Sequence, residues 1–96
     1  MYEFAATVWR HDGQSAWHFL CLPDDVSDDI EAQQTVRIRG FGSVRVEAII
    51  GRTTWRTSIF PDTKRRCYVL PVKKDVRARE CLDGGAQAQV RLTVLG

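Results

Sequence analysis

The sequence predicts a mainly β fold: a small six-stranded split β-barrel with two short helices, ordered β-β-α-β-β-β-α-β, in one domain over residues 1–96. Three observations carry this. Residues 43–60 hold two alternating runs about Gly51-Arg52, the period of two that paired strands show. Two strand-like runs meet a proline, at Pro23 and Pro71, and each is followed by a short amphipathic stretch. The last run alternates Val90, Leu92 and Val94 with Gln89, Arg91 and Thr93, so one side faces a core.

Residues 2–10 form the first strand, with Tyr2, Phe4, Ala6 and Val8 on one face and Glu3, Ala5, Thr7 and Trp9 on the other. His11-Asp12-Gly13-Gln14 has turn chemistry, because Asp bonds locally and Gly accepts positive φ. Residues 16–22 form the second strand. Its faces, Trp17, Phe19 and Cys21 against His18, Leu20 and Leu22, both look buried, as in a closed barrel covered outside by a helix. Pro23 suits a first helical position, and Asp24 and Asp25 suit a helix N-terminus. A helix over residues 23–31 then buries Val26 and Ile30 and leaves Asp24, Asp25, Asp28 and Asp29 as a solvated face. Residues 32–42 are the least regular, partly extended and ending in the loop Gly40-Phe41-Gly42.

The central hairpin follows. A two-residue turn with Gly first suits type II′, which needs positive φ there. Its register sets Ile50 opposite Thr53, and Ala48, Val46 and Val44 against Trp55, Thr57 and Ile59. The other face carries Glu47 opposite Arg56 and Arg45 opposite Ser58. Residues 61–64 read as a loop and residues 67–70 as a fifth strand, with Tyr68 and Leu70 on one side. A second helix over residues 72–80 buries Val72 and Val76 and sets Asp75 and Arg79 four apart as a surface pair. Asp83-Gly84-Gly85 closes it with residues that tolerate the left-handed region.

A chain of 96 residues that is 44% hydrophobic can form one core without disulfides. Cys21, Cys67 and Cys81 are an odd set with no repeated spacing, which argues against a disulfide framework. They read as free thiols packed as small hydrophobes rather than as reactive groups. No apolar run approaches the roughly 18–20 residues of a membrane span, and the N-terminus reads as a strand rather than a signal peptide. The expected setting is cytoplasmic, without membrane contact.

The net charge of +2 conceals a split: residues 1–31 hold one Arg against seven acids, whereas residues 32–96 hold thirteen bases against five acids. Such an imbalance suits an anionic ligand or nucleic acid on the basic portion. The candidate contacts are Arg37, Arg39, Arg45, Arg56, Lys73 and Arg77, with Arg52, Lys64, Arg65, Arg66 and Lys74 behind them. Arg37 and Arg39, two apart, would project together as an anion-binding lip; two solvated arginines beside a turn is the ordinary alternative. Lys64-Arg65-Arg66 reads as a solvated loop tip.

No catalytic, cofactor-binding or metal-ligating residues are assigned. His11 and His18 have no zinc-type spacing, and no nucleophile elbow or P-loop is present. The four aspartates of the first helix lack the alternating oxygens and central Gly of a calcium loop.

Phe19-Leu20-Cys21-Leu22-Pro23 before a short helix is one distinctive stretch. A second runs from Arg39-Gly40-Phe41-Gly42-Ser43-Val44-Arg45-Val46 through Trp55-Arg56-Thr57-Ser58 to Leu70-Pro71-Val72-Lys73-Lys74 and Val76-Arg77. Together they resemble a bacterial family catalogued as domain of unknown function 1905, over nearly the whole chain. The resemblance implies a double-split β-barrel, no established activity and no required cysteine. The cadence Tyr68-Val69-Leu70-Pro71, Arg77, Gly84-Gly85 and a closing strand is more distantly similar to the AbrB and MazE swapped-hairpin proteins, which bind DNA as dimers.

The expectation is therefore a non-enzymatic binding or interaction module, monomeric or weakly homodimeric, with no cofactor. DNA binding through a basic barrel face is the alternative, and a small-ligand barrel with Trp9, Trp17, Trp55, Phe41 and Tyr68 at its mouth is the other.

Overall fold

The computed structural model describes residues 1–11, 17–33 and 42–95. Among them, six strands close into a barrel: β1 (Tyr2–Arg10), β2 (His18–Cys21), β3 (Val44–Ile50), β4 (Thr53–Asp62), β5 (Cys67–Pro71) and β6 (Gln87–Val94). Their order around the barrel is β1-β2-β5-β4-β3-β6, with every neighbouring pair antiparallel. Helix α1 (Asp24–Gln33) follows β2, and α2 (Lys74–Glu80) follows β5. The long strands are shared between neighbours. β1 pairs with β6 over residues 2–7 and with β2 over residues 8–10; β4 pairs with β3 over residues 53–59 and with β5 over residues 60–62. This double sharing is the split that the sequence leads one to expect.

The hairpin of β3 and β4 has the expected register throughout, from Ile50 opposite Thr53 to Val44 opposite Ile59. Gly51 has φ 58°, and Arg52 is not among the positive-φ residues, the sign combination of a type II′ turn. On the outer face Arg56 Nε lies 3.5 Å from Glu47 Oε2. Such exposed pairs contribute little, about 0.2–1 kcal/mol. Register is set chiefly by the inner face, where Val44, Val46, Ala48, Ile50 and Ile59 are buried and Trp55 packs half-buried against them.

Alternation also decides the interior of the other strands. Phe4, Val8, Leu20, Leu70, Val90 and Leu92 point inward from β1, β2, β5 and β6. The helices add Val26 and Ile30 from α1 and Val76 from α2 to the same core. They plug the barrel beside the split strands. Tyr2 Oη, at the start of β1, donates to Asp29 Oδ2 of α1 at 2.6 Å; Thr53 Oγ1, at the start of β4, donates to Glu80 Oε2 of α2 at 2.7 Å.

That parallel belongs to a wider one. Exchanging β1 with β4, β2 with β5 and β3 with β6 leaves the ring unchanged, and the chain is β-β-α-β written twice. Leu20 pairs with Leu70 at the centre of the β2–β5 ladder. On one side Leu22 N–H donates to Tyr68 O, and on the other Val72 N–H donates to His18 O, both at 2.9 Å. Ser27 N–H donates to Pro23 O as Arg77 N–H donates to Lys73 O. Positions fifty apart therefore play equivalent parts with different side chains.

Several local expectations need correction. Pro61 and Asp62 continue β4 rather than forming a loop; β3 has already ended opposite Ile59, so β4 is an edge on that side, where proline is tolerated. Helix α2 starts at Lys74, two residues late, because Val72 is still bonded to the β2 backbone. The left-handed residue closing α2 is Cys81 (φ 56°, ψ 49°), with its N–H on Arg77 O, rather than the glycines beyond. Asp75 and Arg79 do not pair; among the described residues the ion pairs are Arg56–Glu47 and Arg65–Asp62. Exposed side chains gain too little from such a contact to offset the freedom they lose. The expected turn at Asp12-Gly13-Gln14, the strand residue Ala16, and the segment with Arg37, Arg39, Gly40 and Phe41 lie outside the described residues.

Glu80 pins the hairpin turn to α2: its carboxylate accepts from Thr53 Oγ1 and from Arg52 N–H, the latter at 3.3 Å, and a Cβ at Gly51 would collide with it. Gly51→Ala is expected to cost about 1–2 kcal/mol, from the left-handed backbone and from pushing the carboxylate aside. In a Glu80→Ala background the second part is already lost, so the same change should cost less. Urea unfolding of the four proteins checks this; equal costs in both backgrounds would show that Glu80 does not hold the turn.

Candidate functional site

Residues that alternate inward must also alternate outward, and on one side of the barrel the outward set is aromatic. Trp9 on β1 is paired with Phe19 on β2, and Phe19 is paired in turn with Pro71 on β5. The rings of Trp9 and Phe19 lie 5.2 Å apart and tilted by 36°. Trp17, just before β2, stacks on Phe19 at 5.9 Å and 17°. Its backbone is fixed because His11 N–H donates to Trp17 O at 2.8 Å. His11 stands edge-on to Trp9 and Phe19. At the far end the Arg65 guanidinium carbon sits 3.8 Å over the Trp9 ring, a cation–π contact. The result is a ladder on the barrel surface: Arg65, Trp9, Phe19, Trp17.

The two ends differ. Arg65 is held in place by Asp62, whose Oδ1 accepts from the N–H groups of Lys64 (3.0 Å) and Arg65 (3.1 Å) and whose Oδ2 faces Arg65 Nη1 at 3.4 Å. The Arg65 N–H, then that of Lys64 and the guanidinium charge, hold the Asp62 carboxyl below its ordinary value, against a smaller opposing effect of burial. Trp17 at the other end is 55% exposed. A large apolar ring left in water at the end of a stack is a feature of binding surfaces.

Trp17 lines two clefts. One, of about 360 Å³, has His18, Pro71, Val72, Lys73, Lys74 and Arg77 as its other walls. The second, of about 520 Å³, is bounded by Trp9, Arg10, His11, Phe19, Lys64 and Arg65, with Asp62 and Val69. Among the described residues Asp62 is thus the one carboxylate lining either cleft, and it is engaged by Arg65. In the smaller cleft Arg77 is oriented by its own Nε, which donates to Val72 O at 3.2 Å. Aromatic faces offer stacking, and the cations around them offer charge-assisted bonds to an anion.

Of the anion contacts expected from sequence, Lys73 and Arg77 are brought together here. Arg45 and Arg56 stand on the outer face of β3 and β4 and line neither cleft. Arg37 and Arg39 lie outside the described residues. Of the aromatic candidates, Trp9 and Trp17 line the clefts; Trp55 and Tyr68 belong to or pack on the core. The expected helix over the outer face of β2 is not there, because both helices insert apolar residues into the core beside the split strands. Phe19 and Cys21 are half-buried by their own neighbours instead. Sequence reasoning set Lys64 and Arg65 among the secondary anion contacts and read their run as a loop tip, without a link to the aromatic residues. The missed signal was Trp9 in the outward register of β1, facing the β4–β5 turn across β2.

The cysteines are free. Cys67 is buried beside Cys21, and burial first, then its contact with Cys21, pushes its thiol up to about 12. Cys81 is exposed rather than packed, contrary to expectation, because it occupies the turn that ends α2. No metal-holding group of three or more His, Cys, Asp or Glu occurs among the described residues. No helix among them is long and apolar enough to cross a membrane.

The family model described as Domain of unknown function (DUF1905) matches residues 4–92. No curated protein matches the chain.

Two measurements probe this surface. Because the folded Asp62 carboxyl is lowered below 3.8, its contribution is complete above that value and lost as pH falls through the lower, folded one. Asp62→Asn should therefore loosen Arg65 from Trp9 at neutral pH, and its tryptophan emission at pH 7 should shift toward that of the parent in acid, once the Asp62 carboxyl has been protonated. Unchanged emission in the variant would refute the coupling. For the thiols, a pKa of about 12 leaves roughly one part in 10⁴ of Cys67 as thiolate at pH 8, so iodoacetamide followed by mass spectrometry should label Cys81 well before Cys67.

Proposed function

We propose a binding role for this chain, which belongs to the DUF1905 family. In this reading the domain is non-enzymatic and takes an anionic ligand that carries a planar ring. The ring stacks on Trp17, and the negative group meets Lys73, Lys74 and Arg77. One observation carries the reading: Trp17, more than half exposed, is stacked on Phe19 and walls a cleft whose charged lining, among the described residues, is Lys73, Lys74 and Arg77.

Physical chemistry favours this combination. Phe19 holds the indole, so little side-chain freedom is lost when a second ring arrives. Ring stacking of this kind contributes about 1–3 kcal/mol for a nucleobase. The barrel interior is the poorer candidate for a ligand. Leu20, Ile59, Leu70 and Leu92 fill it with no exposure. A duplex-DNA face built on Arg45 and Arg56 is also poorer, since Arg56 already faces Glu47. A cytoplasmic setting belongs to the same reading and is consistent with three free thiols.

The test uses adenosine monophosphate, adenosine and inorganic phosphate as probes, followed by tryptophan quenching. The monophosphate should bind more tightly than either fragment. Trp17→Ala should weaken it about tenfold, as stacking energies imply, and Lys73→Ala should weaken the monophosphate but not adenosine. No saturable quenching by any of the three would overturn the proposal.

A further inference from the structure

We infer that the occupant of this surface is single-stranded nucleic acid, running past Trp17 from one cleft into the other. The inference rests on the binding role above and adds the ligand's length and class.

The two clefts share one wall, Trp17. Each offers cations: Lys73, Lys74 and Arg77 on one side, Arg10, Lys64 and Arg65 on the other. A single nucleotide has one ring and one phosphate group, and it satisfies one side of Trp17. The ladder is longer than that. Arg65 to Trp9, Trp9 to Phe19 and Phe19 to Trp17 are successive steps of 3.8, 5.2 and 5.9 Å, so cations at its two ends are separated by a whole row of rings. A ligand that uses both ends must repeat its negative charge along its length and carry flat groups between. Polynucleotides have that chemistry.

Strandedness follows from Trp17. An indole offers its face only to a base that is not already stacked between neighbours, and bases in a duplex are. Cations flanking exposed aromatic faces are how strand-tracking surfaces work, with affinity that falls as salt rises. Among the described residues of this surface no fixed set of paired donors and acceptors reads base edges, so sequence preference should be weak.

The experiment titrates the full chain with thymidine monophosphate, oligo(dT) and oligo(rU) of two to eight nucleotides, and an eight-base-pair duplex, at several salt concentrations. Affinity should rise at least tenfold from the mononucleotide to about four nucleotides and then level off. With roughly 0.7 ion released per phosphate neutralised on a single strand, three or four contacts give a log–log salt slope of about −2 to −3. Trp17→Ala should lower affinity for every strand, with Trp17→Phe restoring much of it. Lys64→Ala should weaken the longer strands and leave the mononucleotide unchanged. A preference for oligo(dT) or oligo(rU) supports the inference and identifies which nucleic acid it is. A mononucleotide that binds as tightly as the octamer overturns the single-strand inference and leaves the binding role standing. Tighter binding to the duplex also overturns it. Absence of binding to all of these, together with no quenching by adenosine monophosphate, removes both.

Discussion

The short ladder between β2 and β5 is the constraint on which this molecule depends. Three residue pairs, centred on Leu20 and Leu70, join the two halves of the barrel on this side. Backbone bonds from Leu22 to Tyr68 and from Val72 to His18 extend the ladder at both ends. Because the strands are antiparallel, the helix after each leaves at an opposite end of the pair. That geometry sends α1 to the start of β1 and α2 to the start of β4, where their carboxylates meet Tyr2 and Thr53. A helix placed there plugs a split and cannot also cover the outside of β2. The exposed aromatic surface is thus a consequence of how the barrel closes.

What the surface does with that freedom depends on rigidity. The rings are held from behind by strand pairing and from the side by one another, and Arg65 is fixed by the Asp62 turn. Preorganised rings lose little entropy on binding, whereas a flexible loop carrying the same residues would lose much. The Trp9 and Trp55 indole N–H groups are buried without a hydrogen-bond partner among the described residues. Leaving such donors unpaired costs about 1–3 kcal/mol each. The barrel tolerates that cost in return for the large apolar area both rings bury.

Legibility in the sequence followed the range of the forces involved. The β3–β4 register could be read residue by residue, because a period of two, a glycine at the turn and the Glu47–Arg56 pair are all local and all agree. Helix α1 was legible from Pro23, the aspartates and the Val26–Ile30 spacing for the same reason. Ser27 was not. Its hydroxyl donates to Leu22 O and accepts from Tyr68 N–H, forty-one residues away, and nothing near Ser27 in the chain announces that contact. Glu80 is similar, since its partner Thr53 lies twenty-seven residues back. The aromatic ladder was misread for a different reason. Outward Trp17 and Phe19 beside inward His18 and Leu20 look the same in sequence whether a helix covers them or not.

The two-fold repetition explains why the basic cleft lies at one end only. Pro23, Asp24 and Ser27 occupy the places that Lys73, Lys74 and Arg77 occupy fifty residues later, as the matching bonds to Pro23 O and Lys73 O show. Val26 and Val76 match as well, and both are buried. The scaffold needs the valines, and both halves keep them. It also needs a donor to the carbonyl that ends each β-to-helix crossing. In the first half this is the Ser27 hydroxyl to Leu22 O; in the second it is Arg77 Nε to Val72 O. Serine meets that requirement inside the protein and leaves nothing over. Arginine meets it with one of five donors and keeps the rest of its guanidinium for the cleft. With Lys74 in place of Asp24 and Lys73 in place of Pro23, the same backbone turn changes from acidic to basic. The cationic set lines the cleft, and Trp17 stands beside it.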